Sequence, residues 1–381
     1  MKVGMVCYPT YGGSGVIATE LGKALAQKNY EVHFISTSLP VRLDTIGSSN
    51  IYFHEVNALH YPLFEHTPYE SALISKIVDV VRYEKLDILH VHYAIPHAFA
   101  GVIAKQILAT QGINIPVVTT LHGTDITLVG RDTTYEPTVT FSINQSDAVT
   151  AVSQFLKDET LRYFNVKKEI VVIPNFVDFE RFSKKKKDHF KIAIAPNGEK
   201  VIVHTSNFRK VKRIEDVMYV FDLIRRSLPA KLLLLGDGPE RSHIELLARK
   251  MDMVQDVRFL GKIEAVEEVL SIADLFVLPS ERESFGLAAL EAMACQVPVI
   301  SSDAEGIPEV NIDGVTGYVS KIGNVKEMAE NALKILVDPD THQKFKTAAF
   351  ERAKEFDLKK IMVQYEDVYK KLVAQVPAMA S

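Results

Sequence analysis

Lys2-Val3-Gly4-Met5-Val6-Cys7-Tyr8 runs into Pro9-Thr10-Tyr11-Gly12-Gly13-Ser14-Gly15 and then into the amphipathic stretch Val16–Gln27. A continuously apolar run without polar alternation predicts a strand covered on both faces, the habit of parallel sheets. A glycine-rich turn feeding a helix then opens a βαβ unit. The same grammar extends outward from this segment. Candidate strands Val32–Ser36, Asp87–His92, Val117–Leu121, Ala148–Ala151 and Ile170–Ile173 alternate with helices such as Tyr69–Tyr83 and His97–Gln111. The pattern restarts with Lys200–His204, Lys231–Leu235, Val257–Leu260, Leu275–Leu278 and Val297–Ser301. Two doubly wound α/β sheets in tandem are the expectation. Ile361, Tyr365, Val368 and Leu372, at helical spacing, predict a closing helix over Leu358–Val373.

The chain has 381 residues, which at about 150 per domain gives two to three domains. Hydrophobic residues make up 47% and charged residues 24%, enough to build sizeable cores and to exclude wholesale disorder. The charge is 44 − 48 = −4, which argues against a nucleic-acid or membrane-surface binder while allowing a local basic pocket. No apolar run approaches the roughly 20 residues that span a bilayer. Cys7 and Cys295 both sit in apolar runs, so a disulfide framework is excluded and a reducing compartment is implied. The N-terminus opens directly into a strand pattern without a signal-peptide layout. A cytoplasmic protein without stable membrane association is expected; the oligomeric state is open. A seam follows Ile173-Pro174-Asn175, where Arg181–Lys191 contains Lys184–Lys187 and Pro196-Asn197-Gly198 follows. The four lysines read as a solvated connection, since no aromatic or glycine framework surrounds them.

Open α/β sheets bind ligands at the carboxyl ends of their strands, so motifs there carry the functional reading. Gly13, Ser14 and Gly15 bring backbone N–H groups to a helix N-terminus, where an anion is favoured; a turn used only for close packing is the other reading. Gly13-Ser14-Gly15-Val16-Ile17-Ala18 fits G-x-G-x-x-A. The acidic residue of a dinucleotide site is missing, because Ser36-Thr37-Ser38 stands at the end of the second strand. In the second half, Ser206-Asn207-Phe208-Arg209-Lys210-Val211-Lys212-Arg213 sets four cations on a strand-to-helix turn. Cations oppose the dipole of a helix N-terminus, a cost that a bound diphosphate would offset. Glu283 lies in a loop after a strand, and Glu291 follows on a helix that begins near Gly286 and is apolar almost all round. A carboxylate buried there needs a partner, either sugar hydroxyls or a cation. His90, His92, His97 and His122 gather at two strand ends. Two of them could ligate zinc, but no acidic cluster completes a set, and Asp338-Pro339-Asp340 reads as a turn between late helices. His122 reads better as a polar contact to substrate.

Glu283 and Glu291, the Gly-Gly-Ser-Gly loop, Leu121-His122-Gly123-Thr124-Asp125, Ile173-Pro174-Asn175, Ser301–Val310 and Gly314–Tyr318 together resemble the retaining GT-B glycosyltransferases of family 4. The resemblance spans essentially the whole chain. Ser206–Arg213 with Ile214–Val217 is most similar to the bacillithiol-pathway branch, which implies UDP-N-acetylglucosamine as donor and the hydroxyl of L-malate as acceptor. It implies two Rossmann-like domains facing across a cleft. Residues 1–170 would bind the acceptor and 171–357 the nucleotide sugar, with 358–381 packing back on the first. It implies no cofactor and no metal, and a front-face retaining reaction without a protein nucleophile. His122, Arg209, Lys212 and Glu283 would be the catalytic residues. Gly13, Ser14, Gly15, Asn207, Arg209 and Lys212 would hold the donor together with Glu283, Ser284, Phe285, Gly286, Leu287 and Glu291. In this scheme Glu283 contacts the sugar and Glu291 the ribose. Many members carry a Gly-Arg pair five residues before the lysine; Asn207 stands at that arginine position, and Arg209 would supply the guanidinium. For the acceptor, Tyr93, Thr120, Thr124 and Arg131 are the candidates. An ion pair of Arg131 with Asp132 or Glu136 is the competing reading. A family 4 glycosyltransferase with a different acceptor, a lipid-linked sugar or a polysaccharide, is the alternative within the fold, and a metal-dependent hydrolase using His90, His92 and His122 is the alternative from another class.

Overall fold

The structure is a computed structural model that describes residues 1–10, 12–43, 45, 47–58, 66–184 and 188–375. The chain divides into two units, Met1–Asn175 with Leu358–Ser381, and Phe176–Asp357. Lysines 185–187 of the basic run lie outside the described residues.

In the first unit seven strands form one parallel sheet: β1 (Lys2–Val6), β2 (Glu31–Ser36), β3 (Ile51–Glu55), β4 (Ile88–His92), β5 (Val117–Leu121), β6 (Ala148–Ala151) and β7 (Ile170–Val172). Their order is β3-β2-β1-β4-β5-β6-β7, so the winding reverses between β1 and β4. Every residue of β4 and β5 is buried, including His90, His92, Thr119 and Thr120, so neither strand shows the apolar–polar alternation of a sheet with one wet face. Val6, Ile35, Leu73, Ile77 and Leu89 form part of the core on one face, each side chain contributing on the order of 1.5–3 kcal/mol by burial. The helix Leu358–Val373 matches the sequence reading end for end and belongs to this unit. Its Glu366 accepts from Lys28 Nζ at 2.7 Å and from Tyr30 at 2.9 Å, and its Tyr369 hydroxyl lies 2.6 Å from His90 Nδ1.

The second unit repeats the plan with six parallel strands: β8 (Lys200–Thr205), β9 (Ala230–Leu235), β10 (Val257–Gly261), β11 (Leu275–Leu278), β12 (Val299–Ser302) and β13 (Gly317–Ser320). The order β10-β9-β8-β11-β12-β13 puts the reversal between β8 and β11. Phe208, Val217, Phe221, Leu232 and Val277 belong to one buried cluster. The two sheets share an anchor. Asp147 Oδ2 accepts the first amide of β5 at 2.7 Å and pairs with Lys105; Asp274 Oδ2 accepts the Val201 amide at 2.8 Å and pairs with Lys191.

Two strands escaped the sequence reading, β3 and β13, and both are edges. In β3 only Ile51 is buried, and the two middle residues of β13 are half-buried, so neither sequence carries a continuous apolar run. The helix expected at His97–Gln111 begins at Phe99, because Ala94–Ala98 forms a wide turn broken at Ile95. Asp338 caps the helix Pro339–Ala353 by accepting the Thr341 amide at 2.9 Å, a turn between two late helices as the sequence indicated. Among the described residues no helix is long and apolar enough to cross a membrane.

Candidate active site

The carboxyl ends of β8 and β11 flank the reversal in the second unit, and the chain places charge there. After β8 the backbone passes Ser206 and Asn207 into a short 3-10 turn, Lys210–Lys212, and then into the helix Ile214–Arg225. Phe208 is fully buried and anchors the turn. The β9 end backs it up: a Cβ on Gly236, whose φ is 120°, would stand 1.8 Å from the Ser206 carbonyl oxygen, so only glycine lets the two loops touch. Gly236 was not singled out from sequence, although Gly236-Asp237-Gly238 after a predicted strand is a readable signal.

Lys212 Nζ donates to Glu283 Oε2 at 2.5 Å, across 71 positions of sequence. Both side chains keep about a fifth of their surface, 18% and 20%, so the pair is open to a ligand. The Glu281 amide donates to the Val211 carbonyl at 2.8 Å and stitches the two loops together. Glu305 Oε2 accepts the Glu283 amide at 2.8 Å, and the Glu283 carbonyl accepts the Gly306 amide at 3.0 Å. Glu305 and Gly306 thereby fix the backbone of Glu283. The sequence reading quoted them only as part of a motif.

Arg213 pairs with Asp216 at 2.6 Å, whereas Arg209 is exposed with no ion pair among the described residues. Of the four cations, Arg209 is therefore the free guanidinium and Lys212 the positioned ammonium. Asn207 is exposed beside them. His204 donates from Nδ1 to the Val277 carbonyl at 2.9 Å, which leaves Nε2 to accept from the Ser206 hydroxyl at 2.9 Å. Burial pushes this imidazole down to about 4, so it stays neutral beneath Lys212.

Ser284, Phe285 and Gly286 lead into the helix Leu287–Ala294, whose first amides lack intrahelical acceptors and suit an anion or a sugar oxygen. Leu287 is half-buried at its start, and Glu291 is buried, 8% exposed, further along it. The Phe285 ring is buried edge-on against Phe356 at 5.5 Å. Its contribution to a ligand is limited to its backbone.

The first unit's reversal collects neutral groups instead. Gly12 caps the helix Gly13–Gln27 in an extended conformation. A Cβ on Gly15 would lie 2.6 Å from the carbonyl oxygens of both Tyr8 and Thr10, so this glycine serves close packing as well as leaving the helix N-terminus open. Gly13 is exposed and Ser14 is buried at that terminus. Tyr93, at the end of β4, holds a φ of 89°, a costly value for a side chain of its size. Its ring packs 5.5 Å from Tyr8 and 5.3 Å from His122, and Tyr8 packs 4.4 Å from His97.

Asp125 pins these loops together, accepting the amides of Ala94 at 2.8 Å, Gly123 at 2.8 Å and His122 at 3.3 Å. Burial raises its carboxyl to about 6 against those three bonds, which favour the charge. His92 Nε2 faces Met5 Sδ at 3.0 Å, an acceptor only, so its Nδ1 accepts from His122 Nε2 at 2.8 Å. His122 then keeps a lone pair on Nδ1. Burial pushes His122 to about 3 and His97 to about 4, and His97 Nε2 is buried without a partner.

Three expectations change here. Thr120 is fully buried, its hydroxyl 2.7 Å from both His90 Nε2 and Thr150 Oγ1, so it serves the interior and not the acceptor. Arg131 pairs with Glu159, and not with Asp132 or Glu136, and stacks 4.0 Å over the Tyr163 ring. His90 and His92 spend their ring nitrogens on Tyr369, Thr120, His122 and Met5, so the hydrolase alternative loses its ligand set. Thr124 alone of the acceptor candidates is exposed.

Comparison with known proteins bears directly on this arrangement. Residues 11–181 match the model of Glycosyltransferase Family 4 and residues 185–352 that of Glycosyl transferases group 1. The N-acetyl-alpha-D-glucosaminyl L-malate synthase of Bacillus anthracis is 46% identical over 374 residues, covering 97% of this chain and 96% of that protein. The chain belongs to glycosyltransferase family 4. The solved sucrose-phosphate synthase from Thermosynechococcus elongatus superposes on this glycosyltransferase with a TM-score of 0.83 at 20% identity, over 98% of this chain and 100% of its own. Anabaena HepE in complex with UDP-glucose gives 0.82 at 20% identity, over 97% and 100%. The fold of the glycosyltransferase is thus GT-B, with one Rossmann-like sheet in each unit.

Proposed function

We propose that this glycosyltransferase moves N-acetylglucosamine from UDP-N-acetylglucosamine to the hydroxyl of L-malate with retention at the anomeric carbon, releasing UDP as the first step of bacillithiol biosynthesis. The observation that carries the reading is the near-full-length relatedness to the Bacillus anthracis malate synthase. The second unit is assigned the donor and the first the acceptor. The cationic β8/β11 edge suits a diphosphate, and the β1/β4 edge, lined by neutral imidazoles and phenols, suits a hydroxyl. A cytoplasmic location belongs to the same reading, with Cys7 and Cys295 as buried free thiols.

On this reading Lys212 turns from Glu283 to the diphosphate and Arg209 joins it, so that developing charge on the leaving group meets two fixed cations and needs no metal ion. Gly13, Ser14 and Gly15, at a helix N-terminus of the first unit, offer backbone N–H groups suited to an anionic part of the donor. Glu283, released, accepts from sugar hydroxyls beside the amides of Ser284 to Leu287, and Glu291 takes the ribose diol. The bond from the anomeric carbon to the phosphate oxygen breaks. The malate oxygen bonds to the same face, and its proton passes to an oxygen of the departing diphosphate. His122, neutral with its Nδ1 lone pair available, accepts a substrate hydroxyl, and Tyr93, Thr124 and Arg131 engage the acceptor. Incubation with a panel of UDP-sugars and small hydroxy acids, read by mass spectrometry, tests the assignment. N-acetylglucosaminyl-malate should dominate the products, and its absence overturns the reading.

A further inference from the structure

A second cluster of ligating side chains lies on the β3–β2 edge of the first sheet, apart from the β1/β4 reversal. His33, buried on β2, brings Nδ1 to 2.9 Å from Nε2 of His54 on β3, with the two rings stacked at 17°. Glu84, the last residue of the helix Tyr69–Glu84, offers a carboxylate oxygen, and one ligand atom from each of the three lies within 4.8 Å of the others. The far side of His33 is also occupied: Nε2 lies 3.0 Å from Glu31 Oε1, which Lys2 Nζ meets at 2.5 Å. Tyr52 covers the His33 ring face at 4.7 Å.

We propose that His33 Nδ1, His54 Nε2 and Glu84 form a three-ligand site for a divalent transition-metal ion of zinc's class, with Glu31 holding His33 in the ligating tautomer. The Glu31 contact puts the His33 proton on Nε2 and turns the Nδ1 lone pair toward His54, the carboxylate–histidine arrangement found behind metal-bound imidazoles. Two imidazoles and one carboxylate suit zinc and leave a coordination position for water, whereas magnesium and calcium call for oxygen ligands. The ion would tie an edge strand, its neighbour and a helix end together, and so stabilise the part of the sheet with the fewest partners.

Full-length protein is stripped with a chelator, dialysed, and titrated with zinc alone, with magnesium as control. One zinc per chain, no saturable magnesium binding and a melting midpoint raised by several degrees are expected. His54→Gln and Glu84→Gln, both at half-buried positions, should each weaken zinc binding at least tenfold. Glu31→Gln should weaken it by roughly 10–100-fold, an effect that a plain hydrogen-bonded chain of side chains would not produce. The absence of saturable zinc binding by the intact protein overturns the site, as does unchanged binding in His54→Gln and Glu84→Gln. If His54→Gln does not fold, Glu84→Gln at the helix end decides between the two outcomes.

Discussion

The two sheets reverse their winding in the same way, between β1 and β4 and between β8 and β11, yet their carboxyl edges are chemically opposite. The second unit gathers charged side chains and leaves them partly exposed, with Lys212 on Glu283, Arg213 on Asp216 and Arg209 without an ion pair among the described residues. The first unit buries imidazoles and phenols. Asp125 at this edge is drawn toward neutrality, and His97 and His122 are held neutral. The cost of burying a charge explains the division. On the proposed reading, an edge that holds a diphosphate must stay wet enough to keep cations, while one that orients a hydroxyl can be drier if its imidazoles are neutral.

The comparison breaks first at Lys212. Lys212→Ala should lower turnover by on the order of 100–1000-fold, the scale of one lost electrostatic contact in a transition state. Near-wild-type turnover in folded protein would remove Lys212 from the chemistry of the second edge.

Acid should separate the two units next. A base whose folded pKa is lowered gives stability that is present above the unfolded value and lost as pH falls below it. Taking pH 7.5 to 5.5, each of His90, His97 and His122, held at about 3, 4 and 3, should lose about 1.4 kcal/mol. Asp125, raised to about 6, has the opposite sign and returns about 0.8 kcal/mol over the same interval. These four groups of the first unit together lose about 3 kcal/mol, against about 1.4 kcal/mol for His204 in the second. Hydrogen exchange read by mass spectrometry should show the first unit losing protection before the second. The reverse order would contradict the neutral-edge assignment.

Glu291→Gln retains shape and gives up the charge, so UDP should bind about 2 kcal/mol more weakly by calorimetry if Glu291 holds the ribose. Unchanged UDP binding returns Glu291 to an ion pair within the protein. The smallest effect is reserved for Arg131. Because its guanidinium is shared with Glu159, Arg131→Ala should raise the malate KM about tenfold while leaving the donor KM alone, the value of one charge-assisted hydrogen bond. An unchanged malate KM assigns Arg131 to Glu159 alone.

The central strands and the closing helix were legible in the sequence because burial on both faces, or on one helical stripe, writes a local periodic pattern. β3 and β13 were not: only Ile51 of β3 is buried and the middle residues of β13 are half-buried, so neither carries an unbroken apolar run. Residue types at strand ends were legible too: the cationic turn, Glu283 and His122 stand in the loops that follow strands, and Glu291 on the helix after one, an order that the sequence alone fixes. Which of them touch was decided only by the tertiary fold. Lys212 meets Glu283 across 71 positions, Thr120 turns inward to His90 and Thr150, Arg131 finds Glu159, and Glu31 and Glu84 come to flank His33 and His54. Strand and helix periodicities arise from neighbours along the chain, whereas ion pairs and shared protons depend on distances between segments that only the packed sheet order sets.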